Sequence, residues 1–136
     1  MATVPARYNH TQQIDYIAVE FNYSNIPAAG IAIGAVPRGS RIVHCHVIVD
    51  TAFNAGTTNT VNVGTTPTGA DVAPSATIAP GTAGYKNVDT PKTLTFATDT
   101  QLYMSYVQAG TAATAGKGFL YIAFVPSNDV FGLYGV

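Results

Sequence analysis

Arg41-Ile-Val-His-Cys-His-Val-Ile-Val-Asp50 is the stretch on which the fold class turns. Val43, Cys45, Val47 and Val49 fall on one side of an extended chain; Ile42, His44, His46 and Ile48, with Asp50, fall on the other. β-branched residues dominate and no 3.6-residue apolar period is present, so the segment is a strand. Both sides are largely apolar, which places this strand inside a sheet rather than at its edge.

Reading outward, Pro37-Arg-Gly-Ser40 is a turn that separates this strand from a small-residue strand over residues 30–36. Upstream, residues 14–23 alternate, with Ile17, Val19 and Phe21 sharing a face with Asp15, and Ile14, Tyr16 and Ala18 sharing the other with Glu20. Downstream, strands are predicted over 60–63, 76–78, 93–97, 101–108 and 117–125. The Pro- and Gly-rich stretch 64–92 is otherwise loop. About eight antiparallel strands with long connections predict an all-β, jelly-roll-type sandwich. An immunoglobulin-like sandwich lacks its marks, since the chain has no tryptophan and a single cysteine. The domain spans 14–127, between an extended N-terminal arm (1–13) carrying Arg7, Tyr8 and His10 and a C-terminal tail (128–136) carrying Val130, Phe131, Leu133 and Tyr134.

The chain has 136 residues, the length of one domain. Its apolar content, 47%, is ordinary, whereas charged residues reach only 10%, against about 25% in typical soluble domains. So few charges leave two ways of meeting water: neutral Thr, Ser, Asn and Gly, or surface covered by copies of itself or by a partner. Net charge is −1 and the six basic residues are scattered, which excludes the footprint a phosphate backbone requires. No apolar run is long enough for a bilayer, and Met1 to Arg7 lacks a signal-peptide core. Neither nucleic acid nor membrane is an expected partner, and synthesis in the cytoplasm is expected. The lone Cys45 fits a reducing compartment.

His44 and His46 are the sharpest chemical candidates, because residues i and i+2 of a strand can present two imidazoles to one metal ion. Gly39 before them and Asp50 after them resemble the first motif of metal-binding cupins. That resemblance implies another histidine from a later strand, and none follows His46; His10 would have to supply it. The alternative places both histidines half-buried on a sheet face with hydrogen-bonded rings. Cys45 points away from them, as a buried small hydrophobe. The seven carboxylates are dispersed and no phosphate loop occurs. No enzyme activity and no cofactor are expected. Tyr103, Tyr106, Phe119, Tyr121 and Phe124 divide between core and interface in a way that sequence leaves open.

The run from Ile33 through Pro37-Arg-Gly-Ser40, Thr51-Ala-Phe-Asn54 and Asn62-Val-Gly-Thr65 to Thr66 resembles small structural proteins of tailed bacteriophages. Thr111-Ala-Ala-Thr-Ala-Gly-Lys-Gly118 and the strand over 119–125 fit the same group. In size and pattern the chain is most similar to capsid cement, or decoration, proteins. The resemblance implies a jelly-roll subunit, a homodimer or homotrimer, seated on the outer surface of an icosahedral phage capsid and cementing the major capsid protein. It carries over no catalytic residues. Arg7, Tyr8, Phe131, Leu133 and Tyr134 are the expected partner contacts. A cupin-like metal-binding protein and a receptor- or glycan-binding sandwich of a tail or fibre are the competing function classes.

Overall fold

Alternation along the central strand does what a half-buried ladder requires. In the computed structural model, which describes residues 14–88, 90 and 94–126, Cys45, Val47 and Val49 are buried while His44, Ile48 and Asp50 face outward. The strand, β3, runs Arg41–Thr51. Before it come β1 (Asp15–Asn22) and β2 (Ile31–Val36); after it come β4 (Thr58–Gly64), the single-turn helix α1 (Ser75–Ile78), β5 (Gly84–Val88), β6 (Thr100–Ala109) and β7 (Lys117–Val125). They form two antiparallel sheets, ordered β1-β7-β3-β5 and β2-β6-β4. Among the described residues no helix is long and apolar enough to cross a membrane.

The pairings are nested. β1 pairs with β7, β2 with β6, β3 with β5, and β4 meets the segment leading into α1 through the bridge Val63–Ala73. One long double ribbon is thus folded across two sheets, and it closes on itself where β7 also pairs with β3 and β6 with β4. This is a jelly roll. The expected strand over 76–78 is instead α1, which occupies the place of the missing eighth strand beside β4. Side chains replace the ladder there: Ser75 Oγ accepts the Val61 N–H at 3.2 Å, and the Ser75 N–H donates to Asn62 Oδ1 at 3.0 Å. Pro74 has no N–H to contribute to a ladder, and Ile78 turns its side chain fully into the core.

Three further expectations are corrected. Val43 leaves the core face because the register with β7 shifts between Ile42 and His44. The extra residue turns Val43 out, 48% exposed, and lets Ile42 pack against the core. Leu94 to Ala97 form no strand; Phe96 is buried, and its carbonyl accepts the Gly39 N–H at 2.7 Å. β5 lies in the stretch expected to be loop. Tyr85 and Asn87 face out and Lys86, bonded to the Thr82 hydroxyl at 2.6 Å, takes an inward position, so β5 lacks an apolar alternation. The N-terminal arm and C-terminal tail lie outside the described residues.

Leu102, Met104 and Tyr106 of β6 face Leu120, Ile122 and Phe124 of β7 across the sandwich, with Phe21 of β1. Each such burial contributes roughly 1.5–3 kcal/mol. An aromatic line ties the layers together: Phe53 lies 5.8 Å from Phe21 and meets Tyr106 edge-on at 5.0 Å. The Tyr106 hydroxyl donates to Asn59 Oδ1 at 2.7 Å, so the ring's polar end is satisfied where it is buried.

Two predictions come from this packing. Gly30 has φ of +88°, and a β-carbon there would lie 1.8 Å from the Pro67 carbonyl oxygen. Gly30→Ala should therefore lose about 2–5 kcal/mol in urea unfolding. Gly81→Ala, where nothing lies within 4 Å, should stay within about 1 kcal/mol of wild type. At Cys45, burial pushes the thiol up from 9.0 to about 11, against a weaker opposing influence from the Thr90 hydroxyl. That hydroxyl has no hydrogen bond of acceptable geometry, so burial governs. The unfolded thiol ionises first, so the stability it contributes is intact below pH 9 and is lost as pH rises toward about 11. The slope is at most about 1.4 kcal/mol per pH unit. Urea midpoints measured across that window should fall less steeply for Cys45→Ala than for wild type.

Candidate functional site on the outer face of the four-stranded sheet

Register builds this face row by row. Tyr16 of β1 lies beside Ala123 of β7, which lies beside His44 of β3. In the next row Ala18, Tyr121, His46 and Asn87 line up across β1, β7, β3 and β5; in the one after, Glu20, Phe119, Ile48 and Tyr85. All these side chains alternate away from the core. Tyr16 and Tyr85 stand 62% and 59% exposed, and Val43, swung out by the bulge, adds apolar surface beside His44.

Charge lies at the borders: exposed Arg41 stands at one end of the face beside Val125, and Glu20 and Lys117 at the other. Lys117 Nζ lies 3.2 Å from Glu20 Oε1 and 5.4 Å from the centre of the Phe119 ring. Both partners are solvated, so the pair adds little stability. The three-stranded sheet presents a different outside. Its outward residues on β6 are Tyr103, half-buried, Ser105, 1% exposed, and Val107, 44% exposed.

At its middle the two histidines meet. His44 Nε2 and His46 Nδ1 are 2.8 Å apart. A single proton shared in that contact makes one ring the donor and the other the acceptor. The His46 ring stacks on Tyr121 with centroids 4.9 Å apart and lies 5.3 Å from Tyr85. Partial burial lowers the His46 pKa below its ordinary 6.5, and charge on His44 acts in the same direction. Both influences favour the neutral imidazole of His46 over its cation.

The expectation that His44 and His46 share a face holds, as does the separation of Cys45, which is buried on the opposite side. Asp50 does not join them. It falls at a second register shift, between Val49 and Thr51, and accepts a hydrogen bond from the Thr51 hydroxyl at 3.4 Å. Among the described residues no three His, Cys, Asp or Glu side chains converge on a metal-sized site. His10, with Arg7, Tyr8, Phe131, Leu133 and Tyr134, lies outside the described residues. The aromatics left undivided by sequence now separate: Tyr106 and Phe124 are core, while Tyr103, Phe119 and Tyr121 are half-buried on outer faces. Tyr16 and Tyr85, the most exposed rings among the described residues, carry no signal as site residues in the sequence. Tyr16 was marked only by its alternation with Ile17, and Tyr85 lay in the expected loop.

No protein-family model and no curated protein matches the sequence. Solved structures do match. A chain in the capsid asymmetric unit of cyanophage Pam1 superposes with a TM-score of 0.66 at 18% identity, over 93% of this chain and 93% of that one. A chain in the acid-stable capsid of Helicobacter pylori bacteriophage KHP30 gives 0.61 at 18% identity, over 84% and 89%. One in the capsid of Ralstonia phage GP4 gives 0.58 at 22% identity, over 95% and 92%. At these identities the likeness is one of fold: the jelly roll described above is shared, nearly end to end, with chains of about the same length in three phage capsids.

Proposed function

We propose that this chain is a structural protein of a phage virion, a cement subunit that binds the outside of an icosahedral capsid and stabilises contacts between major capsid subunits. The observation that carries the proposal is the near-complete mutual coverage with chains from phage capsids, 93% of each chain in the Pam1 case. Coverage that is high both ways matches the whole of a small separate chain, as an accessory subunit would be, rather than one domain of a large shell protein.

The chemistry of the surface supports the same reading. A subunit with 10% charged residues and an uncovered, almost uncharged aromatic sheet face loses little by desolvating that face against protein. Tyr and Phe at the centre of a contact, with a charged pair at its border, is the usual layout of a protein interface. The arm residues Arg7 and Tyr8 and the tail residues Phe131, Leu133 and Tyr134 would extend the contact to neighbouring subunits, and association as a homodimer or homotrimer would multiply it. The energetic role is linkage: a ligand of the assembled shell that has no affinity for its dissociated parts stabilises the shell by mass action.

Co-sedimentation with shells of the encoding phage that lack this protein tests the proposal. Wild type should pellet with shells to a saturable stoichiometry and raise their melting temperature. A chain ending at residue 127 should remain a folded β protein by circular dichroism and bind at least about tenfold more weakly. Absence of wild-type binding sinks the cement assignment, and unchanged binding by the truncated chain removes the tail from the contact.

A further inference from the structure

We propose that His44 and His46 form a bidentate site for a divalent transition-metal ion of the copper, nickel or zinc class. The proposal does not rest on capsid attachment, because it is drawn from the geometry of two side chains.

Imidazole nitrogens bind such ions at about 2.0–2.1 Å, so two of them coordinated at right angles lie about 2.9 Å apart. His44 Nε2 and His46 Nδ1 are already 2.8 Å apart. An ion could replace the shared proton once both rings tilt so that their lone pairs converge on it, by roughly 45° for coordination at right angles. β3 imposes this spacing, since i and i+2 side chains leave one side of a strand in parallel. Tyr121 and Tyr85 flank the His46 ring at 4.9 Å and 5.3 Å, which reduces the freedom that binding would otherwise remove. His44 is exposed, so an ion reaches the pair directly from solvent.

Donor chemistry selects the metal. Two neutral nitrogens suit copper, nickel and zinc, whereas calcium and magnesium require oxygen ligands. With no third His, Cys, Asp or Glu converging among the described residues, the other coordination positions are open to water or to a donor from a docked partner. Affinity should follow the general order in which Cu2+ exceeds Ni2+ and Zn2+.

Isothermal titration of the full chain with CuCl2, paired with electron paramagnetic resonance, tests the site. Wild type should take up one Cu2+ per chain with hyperfine coupling to two imidazole nitrogens. His44→Ala and His46→Ala should each weaken binding at least about tenfold, and MgCl2 should give no heat. The double variant retains His10 and Cys45 and so measures any binding elsewhere. A double variant that binds Cu2+ as tightly as wild type overturns the proposal, as does a spectrum without coupling to two nitrogens. In the unaltered protein, ZnCl2 should shift the ring resonances of both His44 and His46; a shift of His10 alone is a second refutation that needs no variant.

Discussion

β7 is hydrogen-bonded along both edges, to β1 on one side and β3 on the other. The registers of those two ladders decide where every side chain of the four-stranded sheet points. Because side chains alternate with a period of two, moving either register by one residue would turn Leu120 and Ile122 outward and bring Phe119 and Tyr121 into the core. The buried face holds the register, since a slip by one residue would take Phe21, Val47, Val49, Leu120 and Ile122 out of the core they share. The outer face is then a consequence. Tyr121 arrives beside His46, and Phe119 beside Ile48, because their neighbours in sequence are needed inside.

The bulge at Val43 shows how much one inserted residue can change. It reverses the parity at the start of β3, adds an exposed valine to the outer face and returns Ile42 to the core. At the opposite end of the ribbon, the place of an eighth strand is filled by a single helical turn. Ser75 and Asn62 supply there the hydrogen bonds a ladder would have made. Both departures leave the nested pairing intact, which is why the chain still superposes on jelly-roll chains of the Pam1, KHP30 and GP4 capsids at 18–22% identity.

A surface this poor in charge is coherent only if its neutral parts are hydrated by Thr, Asn and Ser or are covered by protein. On the four-stranded sheet the aromatic rows remain open, with one ion pair at the margin. Attachment to a shell would cover such a face at small desolvation cost, and the same openness leaves the histidine pair accessible.

Much of this was legible in the residues alone. The Val/Ile alternation over 41–50, the turn at 37–40, the strands over 101–108 and 117–125, and the absence of helical periodicity determined an all-β sandwich with β3 inside a sheet and with His44 and His46 on one side, away from Cys45. These are local properties, since a period of two and a turn residue act within a few positions of the chain. Tertiary structure alone decided what depends on distant partners: the bulge that expels Val43, the helix in place of a strand at 76–78, and β5, whose polar residues extend because β3 offers a free edge. It alone also divided core from surface aromatics and set His46 between Tyr121 and Tyr85. Those outcomes rest on which residues meet across the sheet, and sequence neighbours cannot state that, because the segments that meet are separated by tens of residues of loop and strand.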